Sequence, residues 1–408
     1  MAQASESGTE PAESSPVFRG SEEGMDDLFD LEEPQPKYIA LIELGGVIAP
    51  TEGFTVVASR AAVDEVLRDP GTFTSRGIVQ LGNVRPLIPL SVDPPEHRKY
   101  RRILDPLFAP RKMDAIENDV ASRMNHFIDA FADRGSCNFT DELAVPFPSA
   151  VFLGLMGLPW DELDTLLRLK DGIMRPGGGG LSPEEEMRIR DETGTEIYAY
   201  FDAILDQRQE HPEEDILTGF LGAEVDGEKL TREEILDICF LFLIAGLDTV
   251  TDSLTCFFAY LAQHPGHRQQ IVEDPSIIPK AVEEMLRWET PVAGTARLAT
   301  GDSVVTGCPV AAGSLVFVSI GAANVDPAEF EDSLDVRFDR EVNRHLAFGG
   351  GVHRCLGSHL ARRELRIALR EWHRRIPEYA LKPGIELEYP PGLRMVQNLE
   401  LVWPTPQV

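Results

Sequence analysis

Apolar residues recur at three- and four-residue spacing through most of this chain, a period that argues for helices. The clearest stretches are 96–108, 113–133, 183–209, 232–262, 279–287 and 355–375. A shorter one, 60–68, sets Ala62, Val63, Val66 and Leu67 on one face. Segment 232–262 is long against the usual three or four turns, and its middle is apolar nearly all round. Such a helix is buried, so it is expected to cross the centre of the molecule. Runs of β-branched residues interrupt the pattern. Residues 47–59 read as two short strands about a turn at 50–53, and 303–318 and 387–403 have the same character. The expected architecture is mainly α with small β-sheets, in one domain over 37–408.

The first 36 residues break the pattern. They are rich in Glu, Asp, Ser and Pro, and lack the basic start and apolar run of a signal peptide, so a disordered acidic leader is expected. The most apolar run, 236–247, falls short of the roughly 20 residues of a membrane span. The formal net charge of -30 argues against nucleic acid or an anionic membrane as partners. The cysteines are Cys137, Cys239, Cys256, Cys308 and Cys355, and none has Cys-x-x-Cys spacing. Free thiols in a reducing cytoplasm are the expectation.

Four groups of residues carry chemistry. Gly349, Gly350 and Gly351 lead into His353, Arg354 and Cys355, and a helix is expected to follow at once. Glycines permit an unusual backbone, and a helix start favours a thiolate. A thiolate donates strongly to a metal, and thiolate-ligated haem favours O–O cleavage. The plain alternative is a glycine-rich loop with an incidental cysteine. In the long helix, Ala245-Gly246-Leu247-Asp248-Thr249 places an acid and a hydroxyl where burial is costly. Thr249 can bond a carbonyl one turn back while Asp248 is paired structurally. Alternatively, the small Ala245-Gly246 pair leaves room beside the helix for the acid and alcohol to act. Glu284 and Arg287 are one turn apart, a spacing common on helix surfaces. His97 and Arg101 share a face of segment 96–108, crowded by Arg98, Lys99 and Arg102, which also reads as a solvated basic face.

In this order and spacing the residues resemble the bacterial cytochromes P450, over 47–403. Phe348, Gly351, Cys355 and Gly357 match the family's signature. The likeness is closest to the camphor-hydroxylating class, through Ile88-Pro89-Leu90-Ser91-Val92-Asp93-Pro94-Pro95-Glu96, Cys137-Asn138-Phe139-Thr140, Gly246-Leu247-Asp248-Thr249-Val250 and Ala361-Arg362-Arg363-Glu364. It implies the P450 fold, with haem b between the long helix and the cysteine helix and its iron held by the Cys355 thiolate. It sets Phe348, Gly357 and Ala245 against the cofactor, and His97, Arg101, Arg297 and His353 on its carboxylates. Asp248 and Thr249 would assist proton delivery. Glu284 and Arg287 would be a buried structural pair, with Arg344 as a third member.

By the same resemblance, Leu87, Leu241, Ile244, Ala245, Val292 and Leu393 would line the substrate pocket. An aliphatic pocket selects by shape and apolar area, so a compact apolar substrate is expected, terpenoid-like first, steroid or fatty acid next. The stretch holding Arg85, Pro86 and Leu87 has no tyrosine, where the camphor-hydroxylating enzyme anchors a ketone with one. Arg85 is read either as an anchor for a polar substrate group or as a solvent-facing loop residue. With no flavin or nicotinamide motif in the chain, electrons are expected from NAD(P)H through a separate reductase and an iron–sulfur ferredoxin. Arg98, Lys99, Arg102, Arg354, Arg362 and Arg363 would form the ferredoxin's basic docking patch, and a monomer is expected. Two other readings remain: a peroxide-driven haem-thiolate enzyme and a non-enzymatic haem sensor. The Asp248-Thr249 pair argues against both.

Overall fold

Thr231 opens the longest helix, Arg232–Gln263, with a capping box. Its hydroxyl accepts from the Glu234 amide, and the Glu234 carboxylate accepts from the Thr231 amide. Two donors that a helix start leaves free are thereby satisfied. The computed structural model describes residues 32–79, 81, 85–178, 180–390 and 392–405, and in it this helix is buried at nearly every turn. Between Ile235 and Ala259 the exceptions are Ala245 and Gly246, which are exposed, and Thr249, which is half-buried. On the N-terminal side of that opening the helix packs with Pro146–Met156, Leu163–Met174 and Pro183–Glu210, through residues such as Phe152, Leu169 and Phe201. On the other side it packs with Ile278–Glu289 and Ser358–Arg375, through Met285 and Trp372. One helix thus joins two apolar cores and is laid bare between them.

A third apolar cluster lies against a five-stranded sheet. Its strands follow the order Val47–Thr51, Phe54–Val57, Leu315–Ser319, Gly294–Ala299, Phe73–Thr74. Leu315–Ser319 runs parallel to Phe54–Val57 and antiparallel to Gly294–Ala299. Its register sets Arg297 opposite Val316 and Thr295 opposite Val318, and residues two apart on a strand share a face. Arg60–Arg68 packs on this sheet with the apolar face the sequence predicts: Ala62, Val63, Val66 and Leu67 are all buried.

Several expected boundaries shift. Segment 96–108 is the helix His97–Leu104 with a 3₁₀ turn, Asp105–Phe108. Segment 113–133 divides into Pro110–Ala115 and Glu117–Asp129. The cysteine helix begins at Ser358, with Gly357 at its cap, so Cys355 lies just outside it. Among the described residues of 387–403, Glu400–Val402 alone forms a strand, and a separate bridge pairs Glu388 with Gln397. Of the leader expected over 1–36, most lies outside the described residues. Its end is helical: Pro34–Glu43 docks on the domain, with Gln35 buried and donating to the Trp288 carbonyl at 3.0 Å. No helix among the described residues is long and apolar enough to cross a membrane.

Candidate functional site

Where the long helix is bare, a cavity begins. It encloses about 1760 Å³ of atom-free space, part of it open to solvent. Ala245, Gly246 and Thr249 border it from the helix; Phe348, Gly349, Gly350, Cys355 and Gly357 border it from the cysteine loop. That loop turns through positive φ at Gly349 (66°) and Gly351 (64°). A Cβ on Gly351 would stand 1.9 Å from the Leu67 carbonyl oxygen, so only glycine fits there. The Cys355 amide donates to the Phe348 carbonyl at 2.8 Å, which holds the sulfur at the cavity wall. Cys355 is accessible from the cavity, while protein encloses it beyond. Burial pushes its thiol up; the Gly357 amide and the charges of Arg101, Arg354 and Arg362 pull the other way.

His97, Arg101, Arg297 and His353 also border the cavity. Arg297 is only 7 % exposed, and its Nη1 donates to the Ala296 carbonyl (2.7 Å) and the Thr295 hydroxyl (3.3 Å) rather than to a carboxylate. The Nε2 atoms of His97 and His353 are buried without a hydrogen-bond partner, their rings 4.5 Å apart. Asp93 Oδ1 is 3.7 Å from His353 Nε2, beyond hydrogen-bond reach. Burial pushes His353 down to about 4, with His97 and Arg297 adding to the effect. Orphaned buried polar groups are rare and costly. Together with a buried guanidinium they ask for an anionic occupant. The residues present fit haem: orphaned donors for its carboxylates, apolar walls for its ring, a lone thiol for its iron.

Thr249 and Asp248 are adjacent in sequence but differently placed. The Thr249 hydroxyl borders the cavity and donates to the Ala245 carbonyl one turn back at 3.2 Å. Its lone pairs are left to accept, and the Thr249 carbonyl in turn accepts from Ser253 at 2.7 Å. Asp248 is fully buried and does not line the cavity. Its Oδ1 accepts from Lys170 at 2.8 Å, and Arg175 lies 3.4 Å away. Asp248 is thus paired structurally, as the first of the two readings has it. Of these two partners Arg175 reaches toward solvent, its side chain 32 % exposed, while Lys170 is buried.

Glu284 and Arg287 face inward from Ile278–Glu289, both fully buried. Arg287 makes two bonds to Glu284 (2.8 and 2.9 Å) and donates onward to the carbonyls of Asn324, Ser333 and Asp335. Arg344 is not the third member: its carbonyl accepts from Arg60. Arg340, Asn343 and the Arg337 amide fill that role, all donating to Glu284. Burial pushes the Glu284 carboxyl up, but Arg287 and these donors outweigh it and hold it low. Breaking a buried ion pair costs about 3–5 kcal/mol. Glu284→Ala is expected to lower stability by that amount in denaturant melts. A loss under about 1 kcal/mol, the scale of a surface pair, would make this a peripheral contact.

Next to it, Glu283 ties the same helix to His345 (3.0 Å) and to Arg362 of the cysteine helix (2.7 Å). Burial raises its carboxyl, yet His345 and Arg362 hold it down to about 2. A depressed carboxylate stabilises above its unfolded value, near 4.3, and that contribution is lost as pH falls toward about 2. Glu283→Gln is expected to flatten the stability–pH curve across this acid range. An unchanged curve would mean that the Glu283 carboxylate contributes nothing there.

Of the expected substrate pocket, Leu241, Ala245 and Val292 border the cavity. Leu87 and Ile244 are packed in the apolar core instead, and Leu393 is half-buried away from the cavity. Phe152, Leu155, Phe242 and Thr295 line it without having been expected. Arg85 does not line it: its Nε donates to Asp237 at 2.7 Å, and its guanidinium stacks on Tyr198. The basic patch is also smaller than expected. Lys99 pairs with Glu234 (2.8 Å), Arg102 with Asp226, Arg362 with Glu283 (2.7 Å), and Arg363 with Asp114 and Glu117. Arg354, His359, Arg362, Arg363 and Arg366 surround a second hollow beside the cysteine loop.

Comparison with known proteins agrees with this geometry. The family model described as cytochrome P450 matches residues 184–372. A protein of Sinorhizobium fredii named "Probable cytochrome P450 127A1" is 35% identical over 343 residues, 83% of this chain and 80% of the relative. A steroid C26-monooxygenase of Mycolicibacterium smegmatis is 30% identical over 336 residues, 82% of this chain and 83% of the relative. Among solved structures, P450BioI in complex with an acyl carrier protein ligated to hexadec-9Z-enoic acid superposes with a TM-score of 0.84 at 27% identity, covering 92% of this chain and 99% of that one.

Proposed function

Because the chain belongs to the cytochrome P450 family, and is therefore a haem-thiolate monooxygenase, we propose that it oxygenates a compact apolar substrate in the Thr249 cavity, where the Cys355 thiolate would hold the haem iron. The observation that carries this reading is the cavity itself. It brings one cysteine, two orphaned imidazoles and a buried guanidinium onto a single space. Bound haem supplies the redox chemistry that lets one atom of O₂ enter an unactivated C–H bond or an alkene.

The chain's own residues do the rest. Cys355 provides a thiolate to the iron. His97, Arg101, Arg297 and His353 bind the carboxylates. Leu241, Phe152, Phe242, Leu155 and Val292 exclude water and select by shape. Thr249 holds a hydroxyl at the reacting space, and the Asp248 carboxylate stands behind it as its partner in proton delivery. A terpenoid-like substrate suits these aliphatic and aromatic walls best; a steroid or fatty acid comes next. The test is a ligand screen that follows the haem Soret band as water leaves the iron. Compact apolar molecules are expected to shift it, and tight binding of charged ligands alone would overturn the substrate class.

Electrons come, in this reading, from NAD(P)H through a separate reductase and an iron–sulfur ferredoxin. The ferredoxin docks on the hollow beside the cysteine loop, where Arg354, Arg362, Arg363 and Arg366 converge and outnumber the acids that pair with them, Glu283, Asp114 and Glu117. A basic patch on an acidic chain steers an acidic partner, and salt screens that attraction. Ferredoxin-driven turnover is expected to fall as ionic strength rises. Turnover indifferent to salt would place the docking face elsewhere.

A further inference from the structure

Asp252 lies one turn beyond Asp248 on the long helix, and nothing in the reaction described above uses it. It is fully buried, and neither of its carboxyl oxygens has a hydrogen-bond partner. Asp248 Oδ2 is in the same condition, although Arg175 Nη1 lies 3.4 Å from it. Three carboxyl oxygens on successive turns are thus orphaned in one interior. Residues four apart on a helix are neighbours, with Cβ atoms roughly 5–6 Å apart.

The charges around Asp252 decide its state. Asp248 faces it from its own helix; Lys170 faces it from Leu163–Met174, and Arg175 from just past that helix's end. Both cations are engaged by Asp248, through Lys170 Nζ at 2.8 Å and Arg175 Nη1 at 3.4 Å. On the next turn the Cys256 thiol donates away, to the Arg394 carbonyl. An ionised Asp252 would be a buried charge with no donor, beside a second carboxylate already holding the local cations. Two close carboxyls in one buried site do not both ionise; the pair keeps a proton. Burial and the Asp248 charge both push the Asp252 carboxyl well above the usual range.

We infer that Asp252 is a neutral carboxylic acid whose O–H donates to Asp248 Oδ2, directly or across one water. The two form a proton-holding dyad behind Thr249. Asp252 is a positioning residue: it acts through Asp248, orienting that carboxylate and keeping a proton beside it. The consequence for turnover rests on the reading of Asp248 and Thr249 as the proton-delivery pair, but the protonation state does not.

Infrared spectroscopy of the holoenzyme reads that state without turnover. A protonated carboxyl has a C=O stretch clear of the carboxylate bands. Glu364 is another buried acid whose carboxyl is pushed up by burial, so aspartate alone is labelled with ¹³C. At neutral pH the wild type is expected to show a protonated-carboxyl band that moves with the label. Asp252→Asn is expected to abolish it, whereas Thr249→Ala keeps it. No aspartate-sensitive band in the wild type, or a band that survives in Asp252→Asn, would overturn the dyad. Burial also raises the Asp237 carboxyl, so Asp237→Asn is measured alongside: a band that it keeps belongs to the dyad even where Asp252→Asn does not fold, and a band that it abolishes overturns the assignment. If the dyad band is present while Thr249→Ala leaves product per NADH unchanged, the dyad stands and the proton-delivery reading falls.

Discussion

Cys355→His is expected to abolish the red-shifted Soret band of the reduced carbon monoxide complex, and monooxygenase turnover with it. That band reports an anionic sulfur opposite the carbon monoxide, and the Cys355 sulfur is the one the cavity presents. Cys137, Cys239 and Cys256 are buried in the protein and Cys308 sits on the hairpin Ser303–Val305 to Cys308–Val310, none of them on the cavity. No other thiol can substitute without rebuilding the fold. An imidazole at 355 can still reach a metal, so haem content, read as the pyridine complex, separates loss of cofactor from loss of thiolate. Loss of the band with haem retained is the expected pattern. Were the variant to keep the band, Cys355 would not be the ligand, and the account of the cavity would fail at its centre.

How much of this was legible in the sequence follows from what each residue depends on. The cysteine loop was readable because its chemistry is local: glycines that turn the backbone precede the thiol by a few residues. The central helix was readable because its apolar run is local too; its capping box, Thr231 with Glu234, is as local but was not read. What crosses between elements was not. The partners of Asp248 are Lys170 and Arg175, more than seventy residues earlier, on and just past a helix the periodic pattern did not reveal. Pro146–Met156 was missed because it is buried almost all round and so has no polar face to set a period; with it went Phe152, a cavity wall. Ile244 failed for a finer reason. It is Ala245's neighbour, and one residue turns a helix by about 100°, which carries its side chain off the cavity and into the core. Arg344 was misjudged because which arginine of an irregular loop reaches Glu284 depends on backbone turns that no period encodes.

Thr249→Ala is expected to uncouple the enzyme. Monooxygenation takes up two electrons and two protons per O₂, and one oxygen atom leaves as water. The protons must arrive inside a cavity whose walls are mostly apolar. Thr249 supplies the hydroxyl that the long helix places there, bonded to the Ala245 carbonyl and so held in one orientation with its lone pairs free to accept. Removing it takes away the acceptor that positions a proton-bearing water, and leaves Asp248 buried behind the helix with its cations. Haem binding and electron uptake do not need the hydroxyl, so the Soret spectrum and NADH consumption should persist. General acid–base groups typically contribute about a hundred- to ten-thousandfold, and product formation is expected to fall on that scale. The electrons should appear instead as hydrogen peroxide. Thr249→Ser, which restores the hydroxyl without the methyl, should recover most of the product per NADH. That recovery separates the hydroxyl's chemistry from the packing of the methyl group. If product per NADH is unchanged in Thr249→Ala, the hydroxyl serves only its own helix and proton delivery lies with other residues.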